Sequence, residues 1–219
     1  FRNVTRALIM DVQLRNLIAK ENVIDPELCD SIVEKSKEWE WQKHQWYSHH
    51  EAYSHSHKEK ELDVVYGSGI PEVVQQQLMM HVNHIWRNYM SILPELLQHT
   101  QGSNSFNGQE DINVNPFNMI KYWSGVRLNR YSEGTLMRPH YDHIGSLFDG
   151  EKRGIPVLSI IGALNDCTDY EGGAFKFWKD FEIEMNKGDI LIFPSCYLYP
   201  HQVEEVTKGE RYTFVSWGF

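Results

Sequence analysis

The sequence predicts an α+β fold with a mainly β core, and three observations predict it. From residue 118 onward the chain breaks into short β-like runs, at 118–123, 125–131, 155–164, 174–178, 181–185, 189–193, 201–206 and 211–217, punctuated by Gly and Asp/Asn. Ahead of these runs, two stretches carry apolar residues at three- and four-residue steps, the period of a half-buried helix. At 219 residues the chain is long enough for one good core and short for two. Strands this short and this dense predict a sandwich or jelly roll. Two helices alone cannot bury their apolar faces, so they are expected to lie against that sheet.

The elements follow in order. Residues 1–20 place Ala7, Leu8, Ile9, Val12, Leu14, Leu17 and Ile18 without one clean period, which predicts a partly extended segment. Asp25-Pro26 opens a helix with an N-cap acceptor and a proline at the first helical position. Leu28, Cys29, Ile32 and Val33 form its apolar stripe, to about Lys37. Residues 39–66 are rich in Trp, Tyr and His, including Trp39, Trp41, Trp46, His44, His49, His50, His55 and His57. The histidine spacings fit no standard zinc pattern, so this region is expected to form aromatic, polar loops near a pocket. Ile70-Pro71 opens the second helix; Val74, Leu78, Val82, Ile85, Trp86, Tyr89 and Leu93 form its core stripe, and Pro94 ends it. His81 and His84 on that helix are expected at its surface or boundary. Residues 98–118 are polar, with Gly102, Asn104, Asn107, Gly108 and Pro116, and predict a loop.

Composition narrows the class. Hydrophobic residues make up 41% and charged ones 23%, which describes a soluble globular chain. A net charge of −9 disfavours a surface that tracks nucleic-acid phosphates. No segment reaches the roughly 18 apolar residues of a membrane span, and no basic–apolar–small secretion pattern is present. Cys29, Cys167 and Cys196 are scattered and odd in number, which points to free thiols in a reducing, cytoplasmic setting.

The chemistry concentrates between Tyr131 and Arg211. His140 and Asp142 are two residues apart, so on an extended strand both can face one interior. His201 follows 59 residues later, enough chain to return on a facing strand. Two imidazoles and one carboxylate on one face of a metal leave positions open, as a non-haem Fe(II) needs if it is to take a cosubstrate and oxygen. Arg211, ten residues past His201, could clamp a carboxylate with a bidentate fork from a strand antiparallel to that of His201. If Arg211 faces inward, so do Thr213, Val215 and Trp217. If Tyr131 faces inward, so do Asn129 and Arg127, unless a bulge intervenes. Tyr131 and Thr213 are thereby nominated as hydrogen-bond partners of the cosubstrate. Trp217 is either a pocket wall or a core aromatic, and Tyr141, between the two ligands, should face away from the metal. Gly172-Gly173 is expected at a turn where a side chain would clash.

These stretches together resemble the 2-oxoglutarate/Fe(II)-dependent dioxygenases, in their prolyl-4-hydroxylase-like branch. The matching residues are Tyr131-x-x-Gly134, Pro139-His140-x-Asp142, Glu171-Gly172-Gly173-Ala174-Phe175, Lys187-Gly188-Asp189 to Pro194, and His201-x-Val203-x-x-Val206-x-x-Gly209-x-Arg211-Tyr212. They come in the family's order across roughly residues 118–219. The resemblance turns the jelly roll into a double-stranded β-helix with the N-terminal helices packed on one sheet. It implies one domain over residues 1–219, with helical support and capping loops in 1–97 and the β-helix core in 112–219.

The same resemblance implies roles. His140, Asp142 and His201 would hold Fe(II), and Arg211, Tyr131 and Thr213 would bind 2-oxoglutarate. Oxygen would be the other cosubstrate and ascorbate the reductant. The implied reaction couples decarboxylation of 2-oxoglutarate to succinate and carbon dioxide with hydroxylation of an unactivated C–H bond. A prolyl residue in a peptide or protein leads as substrate, with a free amino acid or another side chain still open. The alternative is a cupin-like, non-oxygenase module that binds a metal or small ligand and needs no anion clamp. Asp142 argues against a halogenase, whose carboxylate position is vacated for halide. The family's nucleobase demethylases carry a second arginine six positions after the first; here that position is Trp217, and nucleic acid is not expected as a partner. Residues 44–62 would cap the site and help select substrate, while 143–155 would be either a lid or a plain connection.

Overall fold

The computed structural model describes residues 14–46, 58–92, 120–143 and 155–219. The expected loop 98–118, His49, His50, His55, His57, Leu93, Pro94, residues 1–13 and 144–154 of the 143–155 segment lie outside them. In chain order the elements are β1 (Ala19–Asn22), α1 (Pro26–Ser36), β2 (Gln42–Lys43), β3 (Asp63–Val65), α2 (Glu72–Ile92), β4 (Arg127–Tyr131), β5 (Met137–His140) and β6 (Leu158–Ala163). There follow β7 (Tyr170–Gly172), β8 (Phe175–Phe177), β9 (Phe181–Ile183), β10 (Asp189–Pro194), β11 (His201–Val203), β12 (Val206–Gly209) and β13 (Arg211–Gly218).

Both helices start where local chemistry places them. Asp25 caps α1, its carboxylate accepting from the Glu27 N–H at 2.7 Å, and Pro26 occupies the first turn. On α2 the Pro71 carbonyl accepts from Val74 and Gln75, so the proline stands just outside the helix. Val74, Leu78, Val82, Ile85 and Tyr89 are buried along one side, while His81 is half-buried and His84 exposed. Among the described residues no helix is long and apolar enough to cross a membrane.

The strands form a seven-stranded sheet in the order β1-β10-β6-β13-β4-β3-β2, a four-stranded sheet β5-β11-β8-β9, and the pair β12-β7. All the pairings of named strands are antiparallel. The large sheet separates two cores. Ile160, Ile190, Ile192, Tyr212 and Phe214 face α1 and α2. Ile161, Ala163, Leu191, Phe193 and Val215 alternate with them and face the small sheet, where they meet Phe175, Phe177 and Val203. This is the period-2 alternation of a sheet buried on both sides. It also brings β11 and β13 into different sheets, so Arg211 approaches His201 across the sandwich rather than from a neighbouring antiparallel strand.

Several expected runs are shorter than read. Residues 201–206 break after Val203, and β12 begins at Val206. In 118–123 the described part contributes only an isolated bridge from Trp123 to Gly218. Five further strands, β1, β2, β3, β5 and β7, are not among the runs read from the sequence. Three of them come from the N-terminal half, which therefore extends the large sheet as well as covering it. The Gly172-Gly173 turn is a place for glycine: φ is +75° and +64°, and a Cβ on Gly173 would come 2.9 Å from the Val206 side chain.

Gly162, on the helix-facing phase of β6, is tight for another reason. A Cβ there would overlap the Phe214 ring, which fills the space under the helices. Gly162→Ala is expected to lower stability by about 1–3 kcal/mol, the usual cost of overpacking a core. An unchanged urea midpoint would contradict this packing.

Candidate functional site

One pocket between the sheets is lined by residues the alternation argument assigns to the interior, including Arg127, Asn129, Tyr131, Arg211, Thr213, Val215 and Trp217. His140, Asp142 and His201 line the same pocket. Tyr141 is outside it and 49% exposed.

Backbone pairing brings the two histidines together. His140 on β5 is the direct partner of His201 on β11, and the ring centroids are 4.3 Å apart. Four residues of β5, from Met137 to His140, face three of β11, from His201 to Val203, because Val203 pairs with Met137. This bulge lets both Met137 and His140 reach the pocket although they are three residues apart. Asp142 lies past the end of β5 rather than on it. Its Oδ1 is 3.4 Å from His140 Nε2 and its Oδ2 3.8 Å from His201 Nε2. One ligand atom from each of the three residues lies within 4.8 Å of the others, close enough to share one metal ion.

The histidine tautomers follow from their other nitrogens. His140 Nδ1 lies 2.7 Å from the Arg138 carbonyl, and His201 Nδ1 lies 3.1 Å from the Tyr199 carbonyl. A carbonyl only accepts, so each Nδ1 carries the proton and each Nε2 offers its lone pair to the pocket. Burial pushes the His201 imidazole down to about 4, and His140 adds to the effect, so His201 is neutral at pH 7. Burial works against the charge on Asp142. The attraction of His201 and His140 when they are protonated, together with the Ser159 hydroxyl, outweighs it and holds the carboxyl below its usual range. Ser159 donates to Asp142 Oδ2 at 2.6 Å, so Ser195, 2.7 Å from Ser159, must donate to Ser159 in turn. Trp46 meets His140 edge-on, with centroids 5.5 Å apart, and donates its Nε1–H to buried Glu61 at 2.8 Å.

Across the pocket Arg211 is 2% exposed and Thr213 1%. Arg211 Nη2 and Thr213 Oγ1 have no hydrogen-bond partner among the described residues. Buried donors are normally satisfied, and a buried guanidinium without a carboxylate is costly. An anionic ligand would satisfy both. Tyr131 pairs with Arg211 across β4 and β13, and the guanidinium carbon is 5.2 Å from its ring centroid. Burial raises the Tyr131 pKa, against the opposing pull of Arg211, so the phenol keeps its proton and can donate. The donor set and these orphaned groups fit a ferrous ion beside a dicarboxylate.

Ser159 and Ser195 were not among the residues read from the sequence, and Trp46 and Glu61 were placed only within the 44–62 segment expected to cap the site. Ser159 had a signal: it is a polar residue in an apolar run, in phase with Ile161 and Ala163. The pairing of Trp46 with Glu61 had none, because 15 residues of sequence separate them.

Residues 126–219 match the 2OG-Fe(II) oxygenase superfamily. A PKHD-type hydroxylase of Idiomarina loihiensis is 34% identical over 100 residues, covering 42% of this chain and 40% of the relative. The matched stretch is less than half the length of such curated relatives. Two solved structures share the fold across nearly the whole chain at 14% identity. One is the 2OG complex of a viral collagen prolyl hydroxylase from Paramecium bursaria Chlorella virus-1, with a TM-score of 0.57 over 92% of this chain and 94% of that one. The other is a Trichoplax adhaerens prolyl hydroxylase in complex with a hypoxia inducible factor peptide fragment, with a TM-score of 0.58 over 93% and 84%. With this double-stranded β-helix and the pocket it encloses, the chain is prolyl-hydroxylase-like in fold, and its residues 126–219 are similar to the 2OG-Fe(II) oxygenase superfamily.

Proposed function

We propose that the protein is a 2-oxoglutarate- and Fe(II)-dependent oxygenase that hydroxylates an unactivated C–H bond, with a prolyl residue of a peptide or protein as its substrate. The observation that carries this reading is a buried guanidinium whose Nη2 has no hydrogen-bond partner among the described residues, in the same pocket as a His–Asp–His cluster. A cupin-like binding module would have no use for that cation, and the family match favours the oxygenase. A peptide substrate is supported by the peptide complex of the Trichoplax relative in fold.

In this reading His140, Asp142 and His201 hold Fe(II). Bound with 2-oxoglutarate and oxygen, the metal supplies the oxidising chemistry, with release of succinate and carbon dioxide. The chain does the rest. The Arg138 and Tyr199 carbonyls aim the two Nε2 atoms inward, and Ser159 fixes one oxygen of Asp142. Arg211, Thr213 and Tyr131 receive the distal carboxylate of 2-oxoglutarate. Ile161, Phe175, Val203 and Val215 keep water from the reacting centre. Ascorbate serves as reductant. Free Cys29, Cys167 and Cys196 favour a cytoplasmic setting. Residues 1–219 work as one domain, 1–97 supporting and capping the 112–219 core.

Screening proline-rich peptides and free amino acids with Fe(II), 2-oxoglutarate and ascorbate should give a product heavier by one oxygen, with matching succinate. Metal-dependent binding without any succinate would favour the binding module. His140→Ala or Asp142→Ala should abolish substrate-dependent succinate formation and weaken Fe(II) binding; retained activity would remove them as ligands. Arg211→Ala should weaken 2-oxoglutarate binding by at least about tenfold, the scale of a lost charged hydrogen bond, while metal still binds. An unchanged affinity would remove Arg211 from the site.

The pH dependence has a definite sign. His201 has a folded pKa below its unfolded value, so the unfolded chain takes up the proton first as pH falls. The metal-free protein should lose stability between about pH 6.5 and about 4, and His201→Gln should flatten that slope. Urea unfolding of both proteins across this window checks it; parallel slopes would rule His201 out as the cause.

A further inference from the structure

A second guanidinium lines the same pocket. Arg127 is half-buried on β4, and its Nε–H donates to Asn129 Oδ1 at 3.0 Å. Its guanidinium carbon stands 5.0 Å from the centroid of the Trp217 ring. Among the described residues no carboxylate lies within salt-bridge distance of it, although Asp142 attracts it from farther off. Tyr66 is a further polar neighbour, and burial pushes the guanidinium pKa down.

Strand register separates the two arginines. Arg211 pairs with Tyr131, Thr213 with Asn129, and Val215 with Arg127. Four residues of β4 part the two levels, a distance of about 13 Å along the strand. Burial changes in the same direction: Arg211, Tyr131, Thr213 and Asn129 are buried, whereas Arg127 and Trp217 are partly exposed. The pocket therefore opens at the Arg127 end. The metal-binding candidates lie toward that end too, because Trp217 pairs with Ser159, whose hydroxyl holds Asp142.

Charge accounting points to what this arginine meets. The charges of a ferrous ion, ionised Asp142, a dicarboxylate and Arg211 cancel, with both histidines neutral. Arg127 remains unmatched, at the side from which a substrate must enter. A partly desolvated cation held in a planar fork favours a carboxylate.

We infer that Arg127 is a specificity-determining residue that receives a carboxylate of the substrate beside the carbon to be hydroxylated. The inference rests on the hydroxylase reading and deepens it. The carboxylate comes either from an acidic side chain next to the reacting residue or from the free carboxyl of an amino acid.

The test uses the full chain loaded anaerobically with Fe(II) and 2-oxoglutarate, so that binding is measured without turnover. Four probes are titrated by calorimetry: a blocked tetrapeptide with glutamate before proline, its glutamine counterpart, free L-proline, and L-prolinamide. The acidic member of at least one pair should bind at least about tenfold more tightly, and the pair concerned identifies the source of the carboxylate. Arg127→Gln should abolish that preference, and Arg127→Lys should retain part of it. The visible metal-to-ligand band of the loaded site checks that each variant is folded. Equal binding within both pairs in the unmutated protein, including no binding at all, overturns the inference. So does a preference that survives Arg127→Gln. Failure of the band to form in the unmutated protein would instead defeat the hydroxylase reading itself.

Discussion

Asp142 is a carboxylate almost closed off from water; the Ser159 hydroxyl donates to one of its oxygens, and two imidazole Nε2 atoms stand beside it, facing a point where a cation would pair with all three. Removing a charge from water is costly unless it is paired and hydrogen-bonded. Here every partner comes from a different strand: His140 from β5, His201 from β11 and Ser159 from β6. The site thus exists only where both sheets are assembled. The β5 bulge, the direct pairing of His140 with His201 and the inward phase of β6 each serve to bring one partner within reach.

Strand β13 sets the other half of the site. Tyr212 and Phe214 face the helices and bury apolar surface there. Arg211, Thr213, Val215 and Trp217 face the pocket from the same strand. A one-residue slip would exchange these sets, placing a guanidinium among helices and two aromatics in the pocket. The helices are therefore tied to function by register: they hold β13 in the phase that keeps Arg211 inside. The result is a graded pocket, with a deep anion-binding end and a half-open end lined by Arg127 and Trp217.

Much of this could be read beforehand, for local reasons. Asp25-Pro26 and Ile70-Pro71 mark helix entries by their chemistry, and both helices begin beside them. Long strands such as β10 and β13 carry enough residues to show their period, so Thr213 and Tyr131 could be assigned to the interior. The short strands could not. Ala19–Asn22, Gln42–Lys43 and Asp63–Val65 are two to four residues long, too short for an alternation of apolar and polar residues to stand out in the sequence. They are strands because distant partners complete them, as when Ala19 pairs with Ile192. The sheet assignment of Arg211 was misread for a related reason: ten residues of separation suggest a hairpin, but the chain crosses the sandwich through β12. The Ser159–Ser195 relay and the Trp46–Glu61 contact depend on tertiary proximity, which spacing does not reveal.

Anomalous diffraction from crystals soaked anaerobically with Fe(II) and 2-oxoglutarate locates the metal independently of any assay. This site should give one iron peak bonded to His140 Nε2, His201 Nε2 and the Asp142 carboxylate, with the distal carboxylate of 2-oxoglutarate against Arg211. An iron peak elsewhere, or 2-oxoglutarate bound away from Arg211, would contradict this placement.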